Sequence, residues 1–148
     1  MIRLATLHDI PELVSLVTQC MLEELTDPPV PNEDVIEDTL LMLIRQQNGH
    51  AMAMVSESNG KIDGIVCGMK TPDFATTDIV VIAILYYVVP ERRKSRLWKE
   101  LAKAFEDWGR YIAKANQASL SCLNPKIGRA YKMLGYKQAE ICFKKELQ

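Results

Sequence analysis

The sequence predicts one α/β domain in which helices flank a mostly antiparallel sheet, in the order β-α-α-β-β-β-α-β-α-β. Apolar residues are spaced first as on a helix face, then as in strands, and then again as on a helix. The pair Asn59-Gly60 separates two apolar stretches, which is a strong hairpin signal. The 148 residues, 48% of them hydrophobic, suit one core, so residues 1–148 are predicted to form one domain.

The first third of the chain predicts a short strand followed by two helices. The strand covers Met1 to Ala5, and Thr6 and Asp9 then have the spacing of a capping box that starts a helix. Apolar residues follow helical spacing to about residue 26, where a proline-rich segment ends the helix. Asn32 is a suitable N-cap for a second helix, which Gly49 ends.

The middle and the end of the chain predict the sheet and two further helices. Segments 50–57 and 62–69 form the hairpin around Asn59-Gly60. The run Ile79 to Val89 is apolar on both alternating faces, which is typical of a central strand covered on both sides. The remaining predicted elements are a long helix after Pro90, a strand from Ala118 to Leu123, a short helix from Lys126 to Leu134, and a last strand from Ala139 to Glu146.

Composition excludes several classes of protein. The apolar content is too high and the net charge of −1 too low for a disordered chain. The longest apolar run is about half of what a membrane helix needs, and the charged N-terminus does not resemble a signal peptide. We therefore expect a cytoplasmic protein that does not contact a membrane. Near-neutral charge without an aromatic-rich basic face makes a nucleic-acid partner unlikely.

Four cysteines lie far apart in the sequence, with no C-x-x-C pair and only two histidines as further ligands. The sequence therefore predicts no metal site. Each cysteine has apolar neighbours, which favours buried reduced thiols over a disulfide framework. The four are Cys20, Cys67, Cys122 and Cys142.

The charges are distributed unevenly along the chain. Residues 1–50 carry nine acidic and two basic side chains, a net charge of −7, and the remainder carries +6. Much of the positive excess lies between Pro90 and Lys103, where the central strand leads into the long helix. A helix N-terminus offers unpaired N–H groups to phosphate, and Arg92 to Arg96 would add side-chain charge and a hydroxyl. The alternative interpretation is a solvated basic turn.

A second segment, Asn124 to Tyr136, combines a helix cap at Asn124, a tyrosine at 131 and a left-handed helix exit at Gly135. Tyr131 falls on the apolar side of the short helix. By itself, a tyrosine in this position is typical of a core residue whose hydroxyl is bonded to a neighbour.

Taken together, the two segments resemble the GNAT acetyltransferase superfamily, and the resemblance extends over nearly the whole chain. Segment 86–98, Y-Y-V-V-P-E-R-R-K-S-R-L-W, matches the family pattern L-Y-V-x-P-x-x-R-G-x-G-x-G without a gap. Segment 124–136 matches N-x-x-A-x-x-L-Y-x-K-L-G-F, also without a gap. The chain departs from the family at Lys94, Arg96 and Trp98, which replace loop glycines. Some phage-encoded members of the superfamily have a similarly glycine-poor loop.

The resemblance implies transfer of an acetyl group from acetyl-coenzyme A, as co-substrate and without a metal, to a primary amine of a small molecule or a protein. The amine would attack directly in a ternary complex, with Tyr131 as general acid and an N–H near Val88 or Val89 as oxyanion donor. Glu23 and Glu24 are the candidate acceptor-binding residues. The residues implied for the cofactor are Val88, Val89, Arg93, Lys94, Ser95, Arg96, Leu97, Trp98, Asn124 and Tyr131.

Two other functions remain open from the sequence. Arg96 and Trp98 in the loop favour a GNAT-fold protein that has lost the cofactor and acts in binding or assembly. The basic strand-helix junction would also suit contact with nucleic acid or another polyanion. The quaternary state expected in each case is a monomer or a homodimer.

Overall fold

The structure, a computed structural model, describes residues 1–24, 28–122 and 125–147. Two short 3-10 turns, Leu7–Asp9 and Pro90–Arg92, precede helices. The strands and helices are β1 (Ile2–Leu4), α1 (Ile10–Glu24), α2 (Glu33–Arg45), β2 (Ala51–Ser58), β3 (Lys61–Pro72), β4 (Ile79–Val88), α3 (Leu97–Tyr111), β5 (Gln117–Ser119) and α4 (Pro125–Met133).

The five strands form one sheet in chain order, β1-β2-β3-β4-β5. All neighbouring pairs are antiparallel except β4 and β5, which are parallel because α3 connects them. Asn59 and Gly60 have φ angles of 52° and 73°, as the tight turn of the β2–β3 hairpin requires. The predicted fold class, a mixed and mostly antiparallel sheet flanked by helices, is confirmed.

Helices cover both faces of the sheet, and each face has its own hydrophobic cluster. The apolar side chains of α1 and α2 pack on the face of the sheet that carries Ile65 and Tyr87. Helix α3 packs on the opposite face, where Leu101 and Phe105 are fully buried. The carboxyl end of β4 is therefore covered on both faces, with Tyr87 packed on one side and Val88 on the other. Ile82 and Ile84 are exposed, so the cover expected for the whole apolar run extends over only part of it.

The predicted last strand is wrong. Residues 139–146 form neither strand nor helix, and the side chains from Lys137 to Leu147 are exposed. Alternating apolar residues favour a strand, but a strand also needs a neighbour that accepts its backbone hydrogen bonds. The sheet ends at β5, which has only three residues and offers a short edge. The predicted strand from 118 also ends early, and Leu123 lies outside the described residues.

The prediction of four buried cysteines is half correct. Cys20 and Cys67 are buried, and burial raises the pKa of the Cys67 thiol to about 12. Cys122 and Cys142 are exposed, because Cys122 follows the short β5 and Cys142 lies in the segment that forms no strand.

An ionic cluster at the N-terminus joins β1 to the start of the first helical segment. The guanidinium of Arg3 donates to both carboxylate oxygens of Asp9 at 2.8 Å and to Glu57 at 2.7 Å. Asp9 also accepts from the backbone N–H of Thr6, so the predicted capping box is present. The hydrogen bonds from Arg3 hold the pKa of Asp9 well below its usual range.

We expect this cluster to make stability depend on pH in the acid range. Because the pKa of Asp9 is lower in the folded state, its contribution is present above the unfolded value of about 3.9 and is lost as pH falls toward the folded value. Urea unfolding at pH 6, 4 and 3 should show a smaller loss of stability in Asp9→Asn than in the wild type. Equal losses in both proteins would contradict this assignment.

Candidate active site

Strands β4 and β5 separate at the carboxyl end of β4. They pair only between Val80–Ile82 and Gln117–Ser119. A β-bulge then places one extra residue, Ile84, in β4, where the register with β3 shifts. Within the described part of the chain, no strand pairs with the edge of β4 that faces away from β3 from Ala83 to Val88. This open edge can accept an extended chain that carries its own hydrogen-bonding groups.

The loop that follows β4 presents unpaired backbone N–H groups at the start of α3. The N–H groups of Lys94, Arg96 and Trp98 have no hydrogen-bond partner among the described residues. They alternate with N–H groups that are already bonded, which are those of Arg93, Ser95 and Leu97. Three free donors at a helix N-terminus form an anion-binding site, and the helix dipole adds to its positive potential.

The loop conformation does not require glycine. Among the described residues, Asn59 and Lys114 are the only non-glycine residues with positive φ, and Arg96 has a φ of −79°. The side chain of Trp98 packs against the hydrophobic cluster under α3. The three non-glycine residues therefore keep the backbone donors that the site needs.

Half of the six basic side chains between Pro90 and Lys103 are paired with carboxylates. Arg92 lies 3.3 Å from Asp63, Arg93 contacts Glu23, and Lys103 lies 2.7 Å from Asp107. Lys94 and Arg96, both exposed, form no ion pair with a described residue.

These two side chains flank the unpaired N–H groups, so they are the charges available to a phosphate. The hydroxyl of Ser95 instead donates to the carbonyl of Arg92 at 2.6 Å and accepts from the N–H of Leu97, which closes the turn. The positive charge of the loop is thus divided between structural ion pairs and two exposed side chains that form no ion pair with a described residue.

Tyr131 lies beside the open edge of β4. Its ring stacks on that of Tyr86, with 6.0 Å between centroids, and its side chain is buried. Its hydroxyl donates to the carbonyl of Ser121 at 3.1 Å, in the segment that follows β5. The Tyr131 hydroxyl therefore joins α4 to the segment that follows β5, as expected of a buried tyrosine. Its ring lies beside the gap between β4 and β5.

The two candidate oxyanion donors differ in availability. The N–H of Val89 donates to the carbonyl of Asp63 on β3 at 3.1 Å. Since successive N–H groups of a strand point to opposite edges, the N–H of Val88 points into the gap between β4 and β5. Val88 is thus the residue whose N–H faces a group bound there.

Glu23, in the last turn of α1, lies on the opposite face of the sheet. Its Oε2 accepts from the hydroxyl of Tyr87 at 2.6 Å, and its Oε1 contacts Arg93. Burial, together with the bond to Glu23, raises the pKa of Tyr87 above its usual value. The side chain of Glu24, and all of Asn124, lie outside the described residues.

A groove of about 580 Å³ opens beside Glu23 between α1 and the start of α2. Five of its six lining residues are polar or acidic, but apolar atoms, including carbons of these side chains, contribute most of the lining surface. Its lining residues are Ser15, Thr18, Gln19, Leu22, Glu23 and Glu33. This groove can accommodate a small ligand. Glu23 is already ion-paired with Arg93, so the carboxylate left to favour a cation is that of Glu33, which forms no ion pair with a described residue.

Sequence reasoning did not identify Asp63, Tyr86 or Tyr87 as part of the site. Asp63 carried a detectable signal, because an acidic residue within an apolar strand is seldom buried without a partner. The tyrosines lie within the matched segment, but the pattern does not say which face each one occupies. In the structure, Tyr87 faces α1 and Tyr86 faces Tyr131.

Neither a membrane span nor a metal cluster is found in the part of the chain that the structure describes. None of its helices combines the length and apolar character needed to cross a bilayer. No group of three or more histidine, cysteine, aspartate or glutamate residues there is arranged to hold a metal ion.

No protein-family model and no curated protein sequence matches this chain. Solved structures do match it over its whole length. The aminoglycoside acetyltransferase AAC(6')-Iy, bound to the bisubstrate analogue CoA-S-monomethyl-acetylneamine, has a TM-score of 0.83 at 16% identity, covering 100% of this chain and 97% of that one. Glucosamine-6-phosphate N-acetyltransferase from Arabidopsis thaliana has a TM-score of 0.79 at 16% identity, covering 100% and 98%.

A third match is the aminoglycoside 6'-N-acetyltransferase AAC(6')-IG from Acinetobacter haemolyticus, with a TM-score of 0.76 at 17% identity and coverage of 100% and 99%. At such identities the likeness concerns the fold. Three findings agree: the sheet splits between β4 and β5, a basic loop opens α3, and solved acetyltransferase structures match the chain over its whole length. We conclude that the chain has the GNAT acetyltransferase fold.

Proposed function

We propose that this protein is an N-acetyltransferase that transfers an acetyl group from acetyl-coenzyme A to a primary amine. One observation carries the proposal: the open edge of β4 leads directly to three unpaired N–H groups at the start of α3. An extended arm ending in a diphosphate needs this combination of an edge and an anion site. The structural matches include complexes with coenzyme A and with a bisubstrate analogue, which supports the same interpretation.

The residues present fit acetyl-coenzyme A. The N–H groups of Lys94, Arg96 and Trp98 would hold the diphosphate, with side-chain charge from Lys94 and Arg96. The edge of β4 up to Val88 would pair with the pantetheine arm. Ser95 and Leu97 would contribute to the cofactor site by shaping the loop. Asn124, which lies outside the described residues, stays a predicted cofactor-site residue.

Acetyl-coenzyme A supplies an activated acetyl group in a thioester. The acceptor amine, in its neutral form, attacks the thioester carbonyl, so that a C–N bond forms and the C–S bond breaks. The N–H of Val88 stabilises the negative charge that develops on the carbonyl oxygen. Tyr131 would give its proton to the departing thiolate, and the proton that the amine nitrogen loses would return to the Tyr131 phenolate, so that the products are the amide and the free thiol.

We infer that the acceptor is cationic and binds in the groove between α1 and α2. Glu23 and Glu33 line this groove, and Glu24 follows Glu23 at the end of α1. The acidic first third of the chain, with a net charge of −7, would attract a basic small molecule or a lysine side chain. We place the reaction in the cytoplasm, with the protein as a monomer or a homodimer.

Binding of acetyl-coenzyme A is the first test. A ligand at about 100 times its dissociation constant stabilises the folded state by ~2.7 kcal/mol, so thermal unfolding should shift upward. Release of free thiol with a panel of polyamines, lysine peptides and aminosugars would then establish transfer and the acceptor class.

Other outcomes separate the alternatives. No thermal shift with millimolar acetyl-coenzyme A or with a polyanion would favour the binding or assembly protein that has lost the cofactor. A shift with inorganic pyrophosphate and oligonucleotides but none with millimolar acetyl-coenzyme A would favour a polyanion-binding protein and would overturn the proposal.

A further inference from the structure

Arg93 is the arginine of the loop motif, yet its side chain does not lie with the unpaired N–H groups. Its Nε donates to the carbonyl of Val88 at 2.9 Å, which turns the side chain back along β4. Its guanidinium contacts Glu23 and lies 5.3 Å from the centre of the Tyr87 ring. The contacts with Glu23 and Tyr87 lie on the side of the sheet that faces α1, whereas the carbonyl of Val88 lies on the same edge of β4 as the Val88 N–H.

The partners of Arg93 are bonded to each other, so the contacts form a closed network. The hydroxyl of Tyr87 donates to the second carboxylate oxygen of Glu23 at 2.6 Å. Both oxygens of Glu23 are thus engaged, one by Arg93 and one by Tyr87. Tyr87 is 2% exposed, and charge-assisted hydrogen bonds are stronger in such partly dry surroundings.

The network joins three parts of the fold: the last turn of α1, the end of β4 and the loop before α3. In the described part of the chain, no other ion pair joins the basic loop to α1. Arg92, the neighbouring arginine, is bound instead to Asp63 on β3. Arg93 is therefore the ion-pairing side chain that connects the loop to α1 within the described residues.

We propose that Arg93 is a positioning residue that couples the loop to the acceptor-side helix α1 through Glu23 and Tyr87, and that it is not a diphosphate ligand. This inference rests on the proposed function for the identity of the ligand at the loop. If Arg93 turned toward a diphosphate, Glu23 would lose its cation, and the carbonyl of Val88 would lose its donor. Lys94 and Arg96 need no such rearrangement, because neither is ion-paired with a described residue.

Hydrogen exchange with the full chain tests the coupling, using acetyl-coenzyme A as the probe. In the wild type, saturating acetyl-coenzyme A should slow exchange of the backbone amides in the last two turns of α1. In Arg93→Met and Glu23→Gln, calorimetry should show an unchanged dissociation constant for acetyl-coenzyme A, while the protection of α1 is lost. A merely structural contact would not transmit protection from the loop to α1.

Lys94→Met is the matched control, since it removes the adjacent charge without touching the network. This variant should raise the dissociation constant of acetyl-coenzyme A by about tenfold, as expected for loss of a charge-assisted contact. At saturation, acetyl-coenzyme A should still slow exchange in α1. The proposal is overturned if Arg93→Met raises the dissociation constant of acetyl-coenzyme A as much as Lys94→Met does, while Glu23→Gln changes neither that constant nor the protection of α1. It is also overturned if α1 stays protected in both network variants.

A second measurement separates failure of this inference from failure of the proposed function. If wild-type protein does not bind acetyl-coenzyme A, the proposed function fails, and urea unfolding of Arg93→Met, Glu23→Gln and the double variant still tests the network. The double variant should then unfold at the midpoint of the less stable single variant. Additive shifts of the midpoint would show that the two residues act independently and would overturn the coupling.

Discussion

Replacing Tyr131 by phenylalanine is expected to lower kcat for acetyl transfer by about 10²-fold or more, while the dissociation constant of acetyl-coenzyme A changes little. The reason is that the variant keeps the ring that stacks on Tyr86 but loses the proton offered to the thiolate. The hydroxyl also donates to the carbonyl of Ser121, so a loss of about 1 kcal/mol in stability accompanies the change. Steady-state thiol release and calorimetry measure the two effects separately.

Tyr111→Phe provides the matched control for this experiment. Tyr111 is 60% exposed at the end of α3, so loss of its hydroxyl should leave both kcat and stability unchanged. If Tyr131→Phe turned over at the wild-type rate, Tyr131 would be a packing residue of the gap and the proton would come from another group. If it abolished binding of acetyl-coenzyme A instead, its role would lie in the shape of the site.

Phe105→Ala should reduce the free energy of unfolding by about 3–5 kcal/mol, the largest stability effect we expect from a single substitution. Phe105 is fully buried between α3 and the sheet, beside Trp108. Its ring lies so close to Gly68 that a Cβ built on that glycine would come within 2.5 Å of it. Truncation would therefore leave a cavity where the helix and β3 approach most tightly. Urea unfolding followed by circular dichroism measures the change.

The matched control for this substitution is Phe143→Ala. Phe143 is 89% exposed in the segment after α4, so its removal should change the free energy of unfolding by less than about 0.5 kcal/mol. A loss close to that of Phe105→Ala would mean that the end of the chain is packed against the domain in solution. A small loss at Phe105 would contradict the assignment of α3 to the core.

Much of the fold could be predicted because local patterns and the final packing agree. Asn59-Gly60 gives the hairpin its turn, since both residues adopt positive φ there. Asn32 caps α2 through a bond to the N–H of Val35, as its residue type indicates. The apolar run of β4 predicted a strand covered on both faces, and α1, α2 and α3 cover its carboxyl end in this way, while Ile82 and Ile84 stay exposed.

The last strand was predicted wrongly because its pattern depends on a partner. Within residues 139–146, Ala139, Ile141 and Phe143 stand at alternate positions as in a strand, yet β5 is too short to offer a matching ladder. Pairing is a property of two segments, and neither segment shows in its own sequence whether the other is available.

By itself, the sequence determined the elements from β1 to α4, their order and the place where a basic loop opens a helix, because helix periodicity, capping and turn residues act over a few neighbouring positions. Only the tertiary structure decided how the basic side chains are used. Arg92 and Arg93 turn to Asp63 and Glu23, and these acids lie some 30 and 70 positions earlier in the chain. Whether a charged side chain is available to a ligand or is held in an ion pair depends on which groups lie near it in space. Those distances are set by the packing of the sheet and its helices.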